Sequence, residues 1–158
     1  MKPYKGKKLI VNVHLKTKKY PISRRRICTV ARKVLASLKV SNAEISICLV
    51  NNNYIRKLNK RYKKKDSFTD VLAFPLGTAE GVKKKSVVGE IVISLDQTKM
   101  NAKRFSNSFI RELFLYVIHG ILHILGYDDI KQSERYIMER KQKKLFNSVI
   151  DKSICKRL

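Results

Sequence analysis

The sequence predicts an α+β fold in which a histidine-bearing helix packs centrally against a small mixed β-sheet. Short segments rich in β-branched residues are interspersed with longer segments of helical spacing, without the strict alternation typical of a parallel sheet. The longest apolar segment, FIRELFLYVIHGILHIL at residues 109–125, has the length of a core helix. At 158 residues and 44% hydrophobic content, the chain is expected to form one domain over residues 1–158.

The first three elements follow from periodicity. Lys8–Leu15 alternates loosely and carries β-branched residues, which predicts a strand. Residues 22–38 repeat apolar side chains at helical spacing, and Ser23 is the expected N-cap. Residues 45–50 are again rich in β-formers and predict a second strand.

A second helix and a basic loop come next. The asparagines at 51–53 can cap a helix that carries Ile55, Leu58 and Tyr62 on one side. The following segment, RYKKKDS at residues 61–67, is polar and strongly basic. We expect it to form an exposed loop.

Two further strands flank a polar segment. The sequence TDVLAFPL predicts a strand that ends at Pro75 and Gly77. Residues 77–86 predict a surface hairpin or flexible loop, because they are polar, basic and contain glycine. The next strand is expected over residues 87–95.

Three helices complete the prediction. Asp96 can cap a short helix that runs to about Met100 or beyond, and Ser106 or Ser108 can open the histidine helix. Ser133 is expected to begin a final charged helix. The apolar side of that helix is predicted to consist of Tyr136, Ile137, Leu145, Phe146 and Val149.

The charge balance indicates a polyanionic partner. The formal net charge is +24, from 36 Lys and Arg against 12 Asp and Glu. Nucleic acid is the first choice, because neutralised phosphates release counterions. A lysine-rich surface that is merely solvated is the alternative. No membrane is expected, since neither terminus shows a basic amphipathic anchor and every apolar run of transmembrane length contains charges.

The cysteines indicate a reducing compartment. Cys28, Cys48 and Cys155 are odd in number, far apart and never in a CxxC spacing. Cys28 and Cys48 fall in apolar patterns and are expected to act as small core side chains. The basic N-terminal segment lacks the apolar run of a signal peptide, so the expected location is the cytoplasm.

A histidine pair in the core helix predicts a metal site. His119 and His123 lie at i and i+4, so both rings project from one helix face. Gly126 can end the helix and reverse the chain, which returns Asp128 and Asp129 toward the rings. The predicted ligands are His119, His123 and Asp129. The alternative is that both histidines are hydrogen-bonded core residues and the aspartates cap the next helix.

The residue after the first histidine excludes one kind of metalloenzyme. Metalloprotease zincins carry a glutamate there as general base, and this chain carries Gly120. Without that glutamate, the metal itself can still activate a water molecule or a phosphoryl oxygen. The large positive charge favours phosphodiester chemistry.

Three sequence blocks resemble the YbeY endoribonucleases, the rRNA maturation factors of bacteria. The family pattern HGxLHLxGYDH is matched by HGILHILGYDD at residues 119–129. The pattern LNxxYRxxDxPTDVLSFP is matched by LNKRYKKKDSFTDVLAFP at residues 58–75, and GDIVIS by GEIVIS at residues 89–94. The resemblance covers most of the chain and is consistent with a zincin-like α+β fold.

The resemblance implies one Zn²⁺ per chain on His119, His123 and position 129, where this chain has Asp129 instead of histidine. A carboxylate is an acceptable zinc ligand, although its shorter side chain requires a closer turn. It also removes one unit of positive charge from the centre. We therefore expect a weaker Lewis acid or a higher pH optimum than in the usual site. Asp128 also matches, and we expect it to orient a histidine or hold the turn.

A second departure concerns the basic loop. The resemblance implies a catalytic role for the arginine that follows the tyrosine in the family pattern. Lys63 stands at that position in this chain. Lysine keeps a positive charge for phosphate oxygens but loses the bidentate fork of arginine. Arg61, Lys63, Lys64 and Lys65 are the predicted substrate-binding residues, with Lys63 as the catalytic one; solvated charge is the alternative for these lysines. Phe68 stands where the family has proline.

The resemblance implies a zinc-dependent endoribonuclease specific for single-stranded RNA. Its expected substrate is ribosomal RNA near the 3′ end of the small-subunit 16S rRNA, in maturation and ribosome quality control. The expected partners are therefore rRNA and the ribosome or its small subunit. One alternative is a non-catalytic RNA-binding or ribosome-binding factor with a structural metal or none. Another is a metal-dependent hydrolase of a different substrate.

Overall fold

The computed structural model describes residues 8–77 and 86–151. Most of the predicted loop at 77–86, and Cys155, lie outside these residues. In chain order the elements are β1 (Lys8–Leu15), α1 (Arg24–Ser37), β2 (Asn42–Val50), α2 (Asn52–Lys63), β3 (Val71–Pro75), β4 (Val87–Ser94), α3 (Leu95–Arg104), α4 (Phe109–Ile124) and α5 (Gln132–Val149).

The four strands form one mixed sheet. Their spatial order is β1-β2-β4-β3, in which β1, β2 and β4 run parallel and β3 is antiparallel to β4. The prediction of an α+β fold with a small mixed sheet and a central histidine helix is confirmed. The strand β3, which ends at Pro75 as predicted, lies at one edge of the sheet beside β4, and both strands contact α4.

The two faces of the sheet bury different cores. Successive side chains of a strand point to opposite faces. One set packs into the main core beneath α1, α4 and α5; it consists of Val11, Val13, Ile45, Ile47, Leu49, Ile91 and Ile93. The other set joins Ile55 of α2 in a smaller cluster, and consists of Cys48, Val50, Leu72 and Val92. The sheet is therefore covered on both sides near β4.

Two glycines let α4 approach β4 closely. A β-carbon at Gly120 would lie 2.6 Å from Cγ2 of Ile91, and one at Gly89 would lie 2.5 Å from Cδ1 of Ile124. Neither position has room for a larger side chain without displacement of an isoleucine. The histidine helix is therefore fixed against the sheet by contacts on both elements.

Three of the predicted N-caps are confirmed. The side chains of Ser23, Asn51 and Ser108 accept hydrogen bonds from the backbone N–H groups at the start of α1, α2 and α4. Each cap satisfies a donor that the first helical turn leaves without a partner.

The prediction that Asp96 caps α3 is wrong. The cap is Ser94, whose hydroxyl accepts from the backbone N–H of Gln97. The Asp96 carboxylate instead accepts from the backbone N–H of Asn52, at 2.9 Å, and so stabilises the first turn of α2. A carboxylate near the start of one helix can instead bond to the start of a neighbouring helix. Sequence spacing does not reveal which of the two helices it stabilises.

The predicted apolar side of α5 is partly wrong. Leu145, Phe146 and Val149 are buried, whereas Tyr136 and Ile137 are 61% and 57% exposed. Met138 is the buried residue of the first turns. Its spacing of seven and eleven residues from Leu145 and Val149 defines the inner face, which leaves Tyr136 and Ile137 on the outer side. The helix begins at Gln132, one residue before the prediction.

Both described cysteines pack against apolar side chains as predicted, but only Cys48 is buried. Cys48 is buried, and burial raises the pKa of its thiol. Cys28 is half-buried against the main core, and its thiol donates to the backbone oxygen of Val11. Within the described part of the chain, no helix has both the length and the apolar character needed to cross a membrane.

Candidate metal centre

The two histidines of α4 face each other at the end of the helix. His119 and His123 are one turn apart, and their Nε2 atoms are separated by 3.0 Å. Their side chains are 23% and 25% exposed, so each ring has one side in the core and one edge open. The two nitrogens thus converge on a point at the protein surface.

A left-handed residue turns the chain back after α4. Gly126 has φ +95°, a conformation that favours glycine because it has no β-carbon. The backbone N–H of Gly126 donates to the carbonyl of His123, and that of Tyr127 donates to the carbonyl of Leu122, both at 3.0 Å. These bonds satisfy the last carbonyls of the helix and reverse the chain as the glycine predicts.

Asp128 and Asp129 have different roles in the turn. The Oδ1 atom of Asp128 accepts from the backbone N–H groups of Asp129 and Ile130, at 2.7 and 3.3 Å. Asp128 therefore holds the turn. The Oδ2 atom of Asp129 lies 3.6 Å from Nε2 of His119 and 3.7 Å from Nε2 of His123.

These three side chains have the geometry of a metal-binding group. One ligand atom from each of His119, His123 and Asp129 lies within 4.8 Å of the others. A tetrahedral zinc ion has bonds of about 2.0–2.1 Å, so its ligand atoms are separated by roughly 3.3 Å. The measured separations of 3.0, 3.6 and 3.7 Å bracket that value. The group could bind a metal ion, and all three residues line one cavity.

A glutamine that the sequence analysis missed holds one of the rings. Nδ1 of His119 lies 2.9 Å from Oε1 of Gln142 on α5. If Nδ1 carries the proton, it donates to this oxygen and leaves Nε2 free to bind a metal. A signal was available, because Gln142 follows Met138 by four residues and precedes Leu145 by three, which places it on the inner face of α5.

The environment of His123 favours the neutral ring. Burial lowers its pKa below the ordinary 6.5, and proximity to His119 lowers it further, while Asp129 opposes the change. Metal ligation requires a neutral imidazole. The protein therefore holds His123 in the protonation state that a metal needs.

The cluster opens into a cavity of about 880 Å³. Its wall includes Lys63 and Lys65 together with both histidines and Asp129. Among its charged side chains, two lysines stand against three aspartates, which are Asp70, Asp128 and Asp129. The cavity thus combines a metal-binding group with ammonium groups that can contact an anion.

The other predicted basic residues lie elsewhere. Arg61 does not line the cavity, and its guanidinium lies 5.4 Å from the ring centroid of the exposed Tyr62. Lys64 ends α2 in the left-handed conformation, and its ammonium donates to the carbonyl of Arg61. Of the four predicted substrate-binding residues, the structure brings Lys63 and Lys65 to the histidines and does not bring Arg61 and Lys64.

Hydrogen bonds hold the basic loop beside the cavity. The buried Asn59 donates from Nδ2 to the carbonyl of Ser67, at 3.0 Å. Asp66 accepts from Arg56 at 2.7 Å and from Lys60 at 3.2 Å. The hydrogen bond from Arg56, and then that from Lys60, lowers the pKa of Asp66. The helix α2 extends to Lys63, so only residues 64–67 of the predicted basic loop lie outside it, and side chains of α2 anchor this segment through Asp66 and Ser67.

The fold and the site together define a class of protein. It is an α+β protein with a candidate metal centre of two histidines and one carboxylate, placed at the end of a core helix and open to a cavity with lysines on its wall.

Comparisons with known proteins identify the family. The family model described as Endoribonuclease YbeY matches residues 12–150. Endoribonuclease YbeY of Aquifex aeolicus is 38% identical over 140 residues, which cover 89% of this chain and 90% of that protein. The Bacillus subtilis relative of the same name is 41% identical over 113 residues, which cover 67% of this chain and 72% of that protein. The solution structure of a Thermotoga maritima protein aligns with TM-score 0.61 and 29% identity over 89% of both chains. The chain belongs to the YbeY endoribonuclease family.

Proposed function

We propose that this protein is a zinc-dependent endoribonuclease that cleaves single-stranded RNA. Membership of a family of RNA-cleaving hydrolases supports the reaction class. The observation that carries the proposal is the convergence of His119, His123 and Asp129 on one wall of the lysine-bearing cavity. The biological substrate is ribosomal RNA near the 3′ end of the small-subunit 16S rRNA, in maturation and ribosome quality control.

Nε2 of His119, Nε2 of His123 and a carboxylate oxygen of Asp129 would hold one zinc ion per chain. When bound, zinc supplies Lewis acidity toward a phosphoryl oxygen and lowers the pKa of water. Gln142 holds the ring of His119 in the orientation that directs Nε2 to the cluster. Asp128 holds the turn that presents Asp129.

The charges of the cavity support a role for a divalent cation. Among the described residues of the wall, three carboxylates face two ammonium groups, so these side chains alone do not give a phosphodiester a positively charged site. A bound dication reverses this balance. Lys63 then neutralises charge that develops on the phosphate oxygens, and Lys65 holds a neighbouring phosphate. Lys63 is thus the proposed catalytic residue, and it shares the wall of the cavity with Lys65, whereas Arg61 and Lys64 do not line it.

The proposed partners follow from charge and from the family. The net charge of +24 suits a polyanion such as rRNA or the surface of a ribosomal subunit. The three scattered cysteines suit a reducing cytoplasm. We propose that residues 1–158 act as a single nuclease domain.

Metal content and cleavage of RNA test the proposal together. Purified wild-type protein is expected to contain one zinc per chain and to cleave a single-stranded RNA internally. His119→Ala and His123→Ala are expected to lose both properties. His14→Ala is a matched control, because His14 is the third histidine of the chain and lies exposed on β1. Equal metal content in His119→Ala, or RNA that stays intact with zinc supplied, contradicts the proposal.

The second candidate function is a non-catalytic RNA-binding assembly factor. One observation favours it: the third ligand position carries Asp129, whose side chain is 41% exposed. Tight RNA binding by wild-type protein without cleavage, at saturating zinc, would select this function over the nuclease.

A further inference from the structure

An exposed aromatic ring stands between the candidate metal centre and a second cavity. Phe68 is 49% exposed and contributes to the wall of both cavities. The second cavity has a volume of about 620 Å³ and lies against α2, α3 and the segment after β1. An exposed aromatic ring at such a junction offers a flat apolar face to a ligand that spans both cavities.

The ring is held in place rather than merely exposed. The guanidinium of Arg56 lies 5.7 Å from the ring centroid of Phe68, within the range of a cation–π contact. Arg56 is itself fixed by its 2.7 Å hydrogen bond to Asp66. On the other side of the loop, Asn59 holds the carbonyl of Ser67, the residue before Phe68. A ring held in this way can bind a planar group at a lower entropic cost.

The second cavity has the chemistry of a polyanion site. Lys19 and Lys99 place ammonium groups on its wall, and the asparagines at 51–53 add amides. Its one carboxylate, among the lining residues, belongs to Asp96. The oxygens of Asp96 accept hydrogen bonds from Lys19 and Tyr20 as well as from the backbone of α2, each at 2.9 Å. The carboxylate is therefore engaged within the protein, and Lys99 adds positive charge that Asp96 does not neutralise.

We propose that Phe68 and the second cavity form a subsite for single-stranded RNA that extends from the metal centre. One unpaired base stacks on the ring of Phe68, and an adjoining phosphate lies near Lys99. Aromatic rings with flanking cations are the usual means of holding unpaired bases, because every base presents a stacking face. This inference rests on the proposed function, since the same strand would place its scissile phosphate at the metal centre.

The chain offers a direct reporter of stacking. It contains no tryptophan, so Phe68→Trp introduces a single indole at the proposed platform. Addition of a single-stranded RNA of about eight nucleotides is expected to quench its fluorescence. Polyphosphate of equal charge is expected to leave the fluorescence unchanged, because it has no bases. Zinc is omitted, so the measurement does not depend on cleavage.

Affinity measurements supply the second test. Phe68→Ala is expected to weaken binding of the same RNA by on the order of tenfold, and Phe68→Leu by a similar factor, because leucine has bulk but no π face. Phe105→Ala is the matched control. Phe105 is also an exposed phenylalanine with an arginine beside its ring, at 5.5 Å, but it lines neither cavity. Phe105→Ala is expected to bind RNA as the wild type does.

Two outcomes overturn the subsite. One is equal affinity of the wild type, Phe68→Ala and Phe105→Ala for RNA, and the other is equal quenching of Phe68→Trp by polyphosphate and by RNA. The proposed function fails separately: RNA that quenches Phe68→Trp but remains uncleaved by zinc-loaded wild type supports the subsite and contradicts the nuclease.

Discussion

Nδ1 of His119 lies 2.9 Å from Oε1 of Gln142, and this contact ties the histidine-bearing end of α4 to the middle of α5. With the proton on Nδ1, the ring donates a hydrogen bond to the glutamine oxygen and leaves Nε2 free to bind a metal. The side chain of Gln142 thus holds the orientation of the ring and favours this tautomer.

Loss of this acceptor is expected to weaken metal binding. Gln142→Leu should raise the dissociation constant for zinc by roughly 10- to 100-fold, which competition with a chromophoric chelator measures. Gln142→Glu keeps an acceptor oxygen and should retain most of the affinity. Gln132→Leu is the control, because it makes the same exchange at an exposed position of the same helix. Equal zinc affinity in Gln142→Leu and Gln132→Leu would remove the role given to Gln142.

The close contact between α4 and β4 predicts the effect of a single methyl group. Gly120→Ala would place a β-carbon 2.6 Å from Cγ2 of the fully buried Ile91. Overpacking of this kind costs about 1–3 kcal/mol, and the higher helix propensity of alanine offsets about 0.5–1 kcal/mol. Urea denaturation should therefore show a lower free energy of unfolding for Gly120→Ala.

A double-mutant cycle separates the steric cost from other causes. Ile91→Ala removes the side chain that the new methyl group meets, although it destabilises the core by itself. In that background, Gly120→Ala should be neutral or stabilising. An unchanged penalty would mean that the cost of Gly120→Ala does not arise at Ile91.

The lowered pKa of His123 predicts how stability of the metal-free protein depends on pH. The folded-state pKa lies below 6.5, first because of burial and then because of His119. As the pH falls through about 6.5, the unfolded chain therefore binds a proton before the folded protein does. The free energy of unfolding should decrease from that pH downward, and this contribution levels off below the folded-state pKa.

Nuclear magnetic resonance and thermal unfolding check the expectation. The ring signals of His123 should titrate with a midpoint below 6.5, and His123→Gln should reduce the loss of Tm between neutral pH and the acidic range. His14→Gln, at an exposed position, should leave the pH dependence unchanged. A midpoint above 6.5 for His123 in metal-free protein would reverse the sign of the prediction.

The sequence was most informative where a short-range rule determines the structure. Capping side chains placed the starts of α1, α2 and α4, and the loose alternation of residues 8–15 placed β1. The i, i+4 histidines and Gly126 predicted the converging rings and the reversed chain, because helix geometry and left-handed backbone are local properties.

Contacts between distant segments were harder to predict. Asp96 bonds to the start of α2, 44 residues away, and Gln142 bonds to a ring 23 residues away. The packing of α4 against Ile91 explains Gly120 physically, whereas the sequence showed only that a glutamate was missing. Only the resemblance to the family favoured Lys63 over Arg61, because the direction of a side chain at the end of α2 depends on the tertiary fold.

The carboxylate at position 129 is expected to set the pH optimum. Asp129→His would replace an anionic ligand with a neutral one and add one unit of positive charge to a zinc-loaded centre. Water there should become more acidic, so the pH optimum of RNA cleavage should fall by on the order of one unit. The measurement is a rate–pH profile for both proteins with zinc content checked in each. Superimposable profiles would contradict the proposed coordination by Asp129.

Lys63 and Arg61 can be distinguished by substitution, because only Lys63 lines the cavity with the histidines. Lys63→Ala should lower the rate constant of RNA cleavage by on the order of 100-fold, since it removes positive charge that stabilises the transition state. Lys63→Arg should equal or exceed the wild type, because guanidinium restores a bidentate contact with phosphate oxygens. Arg61→Ala should stay within about threefold, and its effect should shrink as salt screens a distant charge. A loss in Arg61→Ala as large as that in Lys63→Ala would assign the phosphate contact to the arginine instead.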